Sequence, residues 1–394
     1  MRNNHLFRVM KFGGSSFADE GRMRSVCQWV NRELAHRGPA HRIVCVVSAP
    51  TGLTEQYRDT LLGLNAATPD RLIDAGLPLA DSIGAVLFAA ALHASGLRAT
   101  VLLGSQIGLR TDLNYTRARL LSVDVRRLAD SFQTHDVIVI PGGQASAQET
   151  GETTWMGKNS SDLSAIALAA AFGCEEVEIC SDVPGVYSCD PNLVADAHLL
   201  PTLSYRQAKT MSLCGAKVLH HRGVEYADEH GIRIVCRANH GDFGVGTVID
   251  AHSPFIPAVI PDTRSRAFAG AHDERKRGAA ALVQADVPHL SLEGADGDGK
   301  LVVTCGFFDS QRFLIEDLGL ALKPDDARLL TIAMADGSVS HELVASHVLA
   351  GRTLAQHMRH CSQETGNSLL ASSRAVPFDR RLAVWGQTEH ERHV

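Results

Sequence analysis

Aromatic residues are scarce in this chain, at 5% of 394 positions, and the formal net charge is only −6. No basic run interleaves with aromatics, so the footprint of a polyanion partner is missing and nucleic acid is not expected. Anions must instead be met locally, by a few cations and main-chain donors. Long apolar runs are missing too. The longest candidate, Ile83 to Ala94, contains His93 and is flanked by Asp81 and Gly96. It falls short of the ~18 residues of a membrane span and reads as a core helix, so no membrane partner is expected. Met1 to Val9 carries no signal-peptide core and runs straight into a strand. Nine cysteines, an odd number, include no CxxC pair and sit mostly in apolar strands (Cys45, Cys180, Cys236, Cys305). Reduced, buried thiols in a cytoplasmic protein are the expectation.

What is present is enough material for two domains or three. The first 250 residues alternate strands with helices, the pattern of a parallel α/β sheet covered on both faces. Strands are expected at Leu6 to Phe12, Arg42 to Ser48, Arg98 to Leu103, Val137 to Ile140, Val177 to Cys180 and Ile232 to Cys236. Helices are expected at Asp19 to Arg37, Ala80 to Ser95 and Ser161 to Phe172, the last stopped by Gly173. His252 to Thr263, with three prolines and no strong period, suggests a boundary near 250–265. Beyond it, strands are expected at Leu301 to Cys305, Phe313 to Glu316 and Leu329 to Met334, and a helix at Val344 to Met358. The assignment is 1–255 for the α/β domain and 256–394 for a smaller C-terminal one.

Chemistry concentrates at strand ends. Lys11-Phe12-Gly13-Gly14-Ser15-Ser16 joins a strand to a helix through paired glycines. Such a turn lets main-chain N–H groups approach phosphate oxygens beside a fixed cation; the plainer alternative is an ordinary turn with a surface lysine. Gly151 to Ser160 imitates a Walker A loop but has five residues between its glycines and Asn159 after the lysine, so a P-loop is rejected. There, Ser161 is a candidate helix cap. Asp162 either complements the helix dipole or faces the cleft and orients Lys11. Ser181 to Tyr187 follows a buried strand, where open α/β sheets bind ligands. Lys217 offers a second cation. His341 and His347 lack zinc-helix spacing, and Asp296 to Gly299 reads as a hairpin turn rather than a calcium loop.

Taken together these segments resemble the amino acid kinase superfamily, and within it the aspartate kinases. Lys11 to Ser16 is similar to Lys-Phe-Gly-Gly-Thr-Ser, and Thr153 to Asp162 to Thr-Thr-Thr-Leu-Gly-Arg-Gly-Gly-Ser-Asp. Ser181 to Pro191 resembles Thr-Asp-Val-Asp-Gly-Val-Tyr-Thr-Ala-Asp-Pro, and Gly215 to His220 reads Gly-Ala-Lys-Val-Leu-His. Order and spacing match over roughly residues 8 to 250. The resemblance implies a three-layer αβα sandwich with a divergent ACT-like C-terminal domain and a homodimer or larger assembly. It also implies transfer of the ATP γ-phosphoryl group, with Mg²⁺, to the side-chain carboxylate of aspartate. Carried over, Lys11 and Asp162 are catalytic. Gly13, Gly14, Ser181, Asp182, Tyr187 and Lys217 hold nucleotide, and Ser15, Thr54, Asp81 and Lys158 hold the amino-acid substrate. Departures cluster on the acceptor side. Ala80-Asp81 replaces Gly-Glu, Lys158 replaces an arginine clamp, Asn159-Ser160 replace paired glycines, and Asn192 replaces an arginine after Asp-Pro. Lysine for arginine at a bidentate site is not conservative. A kinase with altered acceptor preference, or a non-catalytic amino-acid or nucleotide sensor, is the alternative.

Overall fold

The computed structural model describes residues 6–216, 219–293, 299–304, 306 and 308–361. Its first part runs β1 (Phe7–Phe12), α1 (Glu20–Arg37), β2 (Arg42–Val47), α2 (Leu53–Leu64), α3 (Asp70–Gly76), α4 (Pro78–Ala94), β3 (Ala99–Val101), β4 (Leu109–Thr111), β5 (Leu120–Val123) and α5 (Arg126–Ser131). It continues through β6 (Val137–Pro141), β7 (Gln144–Ala147), β8 (Thr153–Trp155), α6 (Ser161–Phe172), β9 (Glu176–Ser181), β10 (Thr202–Ser204), α7 (Tyr205–Leu213), α8 (His221–His230), β11 (Arg233–Ala238) and β12 (Val245–Asp250).

Eight of these strands form one sheet in the order β10-β12-β11-β9-β1-β2-β6-β3. Every neighbouring pair is parallel except β11 with β12. The near-continuous apolar runs follow from burial on both faces. Alternate residues split between two cores. Met10, Phe12, Ile43, Cys45 and Val47 pack under α1 and α4 with Val26, Trp29 and Phe88. Val9, Val44, Val46, Ile138 and Ile140 pack under α6 and α8 with Leu163, Ile166 and Val224. The expected three-layer sandwich is therefore present, and the expected core helix is α4. Its Phe88 and Leu92 are fully buried. Residues Asp70–Ala94 are together long and apolar enough to cross a membrane by length and composition, a correction to the reading that none is, yet half of that window is buried inside the protein. A second sheet, β5-β4-β7-β8, is entered directly from the carboxyl end of β6 through Gly142-Gly143; the sequence carries no clear sign of it.

The remainder comprises β13 (Ala258–Asp262), β14 (Arg266–Ala269), α9 (His272–Gln284), β15 (His289–Leu292), β16 (Lys300–Val303), β17 (Lys323–Asp325), β18 (Ala327–Ala333), β19 (Val339–Ala345) and α10 (Leu349–His360). They build the sheets β13-β18-β19 and β15-β16-β14-β17. Strand β13 lies inside the stretch read as a boundary. Two further expectations fail. Phe313 to Glu316 is a helical turn of π type, Arg312–Asp317, seated on buried Leu314; a run of four cannot distinguish strand from helix by period. The expected helix from Val344 starts only at Leu349, because Val344 pairs with Arg328 across the β18–β19 hairpin. The Asp296–Asp298 part of the expected hairpin turn lies outside the described residues, between antiparallel β15 and β16.

Candidate functional site

Strand β1 delivers Lys11 to the carboxyl edge of the sheet, and the chain then turns through Gly13 and Gly14. The Gly13 N–H donates to the Cys180 carbonyl at 3.1 Å, fastening the turn to β9. A methyl group on Gly14 would lie 2.5 Å from the Ala49 carbonyl oxygen, so this close approach admits only glycine. Across the turn stands the first turn of α6. Lys11 Nζ and Asp162 Oδ1 are 2.9 Å apart, with side chains 12% and 5% exposed. The contact is an ion pair rather than a directed hydrogen bond. Asp162 Oδ2 accepts the His220 N–H at 3.3 Å. Asp162 thus lies against Lys11 at the start of α6, with its second oxygen on the main chain before α8. Ser161 does not cap its helix. Ser160 occupies the cap position without a side-chain cap bond, and the Ser161 hydroxyl lies 3.0 Å from that of Ser48 at the end of β2.

The loop after β9 forms the other wall. The Ser181 hydroxyl donates to the Val183 carbonyl at 2.7 Å, Asp182 is exposed, and Tyr187 is half-buried and bridges to Leu199. Asn239 ties this wall to the glycine turn. Its N–H donates to the Ser181 carbonyl at 2.7 Å, and its buried amide lies 2.8 Å from the hydroxyls of both Ser15 and Ser16. Turned so that its oxygen accepts from those hydroxyls, the amide nitrogen also reaches the Ser181 carbonyl. Lys217 lies outside the described residues. Hollows of about 580 Å³ beside Asn239 and about 570 Å³ between α8 and α9 are present; neither is lined by Lys11 or Asp162.

A different set of side chains gathers on the α4 side. Asp81, in the first turn of α4, accepts the Ala49 N–H at 2.7 Å. Burial pushes its carboxyl up to about 7, while that N–H and the Lys11 charge pull the other way and the Glu55 carboxylate adds to the rise. Thr54 is partly buried in the first turn of α2. One residue on, Glu55 pairs with Lys158 at 2.6 Å, both side chains well exposed. Partial burial raises the Glu55 carboxyl, but the hydrogen bond and charge of Lys158 outweigh it and leave the group below its ordinary value. Lys158 sits between Gly157 at φ 99° and Asn159 at φ 63°.

Residues 7–238 match the profile of the Amino acid kinase family. The chain belongs to that family. It is 35% identical over 253 residues to the aspartokinase of Mycobacterium tuberculosis, an alignment covering 64% of this chain and 59% of that protein. It is 32% identical over 283 residues to the aspartokinase of Mycolicibacterium smegmatis, covering 71% and 65%. The chain therefore spans about three fifths of the length of these relatives. Among solved structures, E. coli aspartokinase III in complex with aspartate and ADP superposes with a TM-score of 0.70 at 18% identity, over 89% of this chain and 99% of that one. At that identity the likeness is one of fold.

Within this family member, the fold brings Lys11, Gly13, Gly14, Ser15, Asp81 and Asp162 around the carboxyl edge of the central strands, with Lys158 and Thr54 on the α2 side. Sequence reasoning missed Asn239 and Glu55. Asn239 gives no local signal, because its bonds to Ser15 and Ser16 cross more than 220 residues. Glu55 stands beside Thr54 and reads as an exposed helix residue. Among the described residues, no three His, Cys, Asp or Glu side chains cluster as a metal site, His341 included.

Proposed function

We propose that the chain transfers the γ-phosphoryl group of MgATP to the side-chain carboxylate of aspartate or a close amino-acid analogue. A carboxylate oxygen attacks the γ-phosphorus, the bond from that phosphorus to the β–γ bridging oxygen breaks, and ADP leaves beside an acyl phosphate. The observation that carries this reading is the Lys11–Asp162 pair beside the glycine turn. Phosphoryl transfer asks for positioning and charge neutralisation more than for covalent help. A lysine fixed by a shielded aspartate, with main-chain N–H groups close by, supplies both.

On this reading Lys11 meets the charge that develops on the transferring group, and Asp162 holds Lys11 in place. Gly13, Gly14, Ser181, Asp182, Tyr187 and Lys217 cradle the nucleotide. Magnesium arrives with the triphosphate as part of the substrate. Asp81 receives the acceptor's ammonium group, and Ser15, Thr54 and Lys158 the rest of the acceptor. The complex of E. coli aspartokinase III with aspartate and ADP supports this pairing of ligands by analogy, and the aspartokinase relatives support the acceptor. We also propose a C-terminal regulatory-type domain over 256–394 and a homo-oligomeric assembly.

The Glu55–Lys158 pair gives the altered-acceptor reading a specific footing, since an acceptor carboxylate must compete with Glu55 for the lysine. A coupled ADP-release assay with MgATP, run across aspartate and other small acids, tests the proposal. Turnover with aspartate is expected. Nucleotide binding without turnover on any acid would instead identify a sensor.

A further inference from the structure

Asp74, on α3, is fully buried. A carboxylate at that depth needs partners, and what holds this one is main chain. Oδ1 accepts the N–H of Thr116 at 2.7 Å, and Oδ2 accepts the N–H of Trp155 at 2.9 Å. Thr116 lies in the turn between β4 and β5, and Trp155 is the last residue of β8. The two segments are also joined directly, by the Ala118 N–H to the Trp155 carbonyl at 3.0 Å.

Trp155 opens the short segment that carries Lys158. Met156 donates to the Gly143 carbonyl at 3.0 Å, and Gly157, Lys158, Asn159 and Ser160 follow before α6 begins. Three residues here hold left-handed backbone: Thr116 at φ 66°, Gly157 at φ 99° and Asn159 at φ 63°. For a β-branched residue such as Thr116 that conformation costs on the order of 1–3 kcal/mol and persists only where surroundings impose it. Asp74 imposes it, with one oxygen on the strained turn and the other at the root of the Lys158 segment. A methyl group on Gly157 would lie 3.3 Å from the Thr116 carbonyl oxygen, so the two segments are packed closely. Burial pushes the Asp74 carboxyl up to about 7 against both N–H bonds; Asp70 on the same helix adds to the rise and Arg117 opposes it.

We propose that Asp74 is a positioning residue that sets the Gly157–Ser160 segment, and with it Lys158, at the acceptor end of the cleft. This rests on the reading of Lys158 as an acceptor contact. Asp74 reaches neither the glycine turn nor the loop after β9, so its effect falls on acceptor capture and spares the nucleotide.

The test is Asp74→Asn in the full chain, which keeps one acceptor oxygen and sets an NH₂ against a main-chain N–H. The expected result is a rise of about tenfold to a hundredfold in KM for the acceptor, the scale of a small misplacement of a binding group. KM for MgATP should stay within about twofold, because no nucleotide contact has changed. In a Lys158→Met background the acceptor effect of Asp74→Asn should vanish, since both changes act through one side chain. Parallel rises in both KM values, no rise in either, or full additivity with Lys158→Met overturns the proposal. Should Asp74→Asn fail to fold, Asp74→Glu keeps the charge but displaces both accepting oxygens by one methylene and carries the same expectations. Collapse of that variant too would mean a general stabilising role and sink the idea. Aspartate turnover by the wild-type chain tests the functional reading separately. If it is absent, aspartate affinity by calorimetry replaces KM, and no aspartate binding by the wild type would overturn both.

Discussion

The two ends of the cleft are built from different materials. At the glycine-turn end, Lys11, Gly13, Ser48 and Ser181 sit at or just beyond the tips of β1, β2 and β9, strands fixed in parallel register and buried on both faces. Asp162 and Asn239 then close the set with contacts shielded from water. At the α4 end, only Asp81 is buried. Lys158 rides on a segment of left-handed backbone, and its partner Glu55 is exposed on α2. Sites on sheet ends resist displacement by single substitutions, whereas helix and loop positions can change without disturbing the sheet. The sequence departures from the aspartate kinase pattern fall mostly on the second kind of position. A family member can thus keep one end and vary the other.

The largest effect expected from this contrast is at Lys11. Lys11→Ala should lower the rate of transfer by at least about 1000-fold, the scale on which a transition-state cation contributes to phosphoryl transfer. Circular dichroism should show the same fold, with a lower melting temperature because the shielded Asp162 loses its cationic partner. Retention of wild-type rates would erase the distinction between the two ends. Gly14→Ala comes next. Its new methyl group meets the Ala49 carbonyl at 2.5 Å, so the turn must shift, and a loss of about 1–3 kcal/mol of stability is expected with weaker MgATP binding. Thermal melts and nucleotide titration measure both.

The pH response sharpens the comparison at the acceptor end. Asp81 must be ionised to hold an ammonium group, and its carboxyl is pushed up to about 7. Acceptor KM should therefore rise as pH falls through about 7, by up to about tenfold per unit, while MgATP KM changes little. Asp81→Asn should weaken acceptor binding at every pH and flatten the profile, leaving whatever Asp74 contributes. Stability runs the opposite way. A carboxyl raised from 3.8 to about 7 on folding makes the native state bind more protons than the unfolded chain between those values. The stability of the wild type relative to Asp81→Asn should fall as pH rises through that window and level off above it. The smallest effect is Glu55→Gln. Removing an exposed pair worth about 1 kcal/mol or less should lower acceptor KM by no more than about fivefold.

Much of the fold was legible because α/β chemistry is local. The runs Arg42 to Ser48 and Val137 to Ile140 announce strands buried on both faces, and the helix Ser161–Phe172 ends at Gly173 as expected. Lys11, the glycine turn and Asp162 were legible because their motifs lie at strand-to-helix junctions. The β4, β5, β7 and β8 sheet was not, because three- and four-residue strands carry too little period to read. Asn239 and Asp74 were illegible for another reason. Each acts through main-chain or hydroxyl partners distant in sequence, and no short pattern encodes that. The Phe313 to Glu316 and Val344 errors came from apolar residues whose period was assigned without knowing which strand would pair with them.

The most direct measurement is capture of the product by hydroxylamine after incubation with γ-labelled MgATP and aspartate, for the wild type and Lys11→Ala side by side. A hydroxamate from the wild type, with label released as phosphate in step and neither signal from the variant, is the predicted result. Equal hydroxamate from both proteins would contradict the assignment of Lys11 and Asp162 as the phosphoryl-transfer pair.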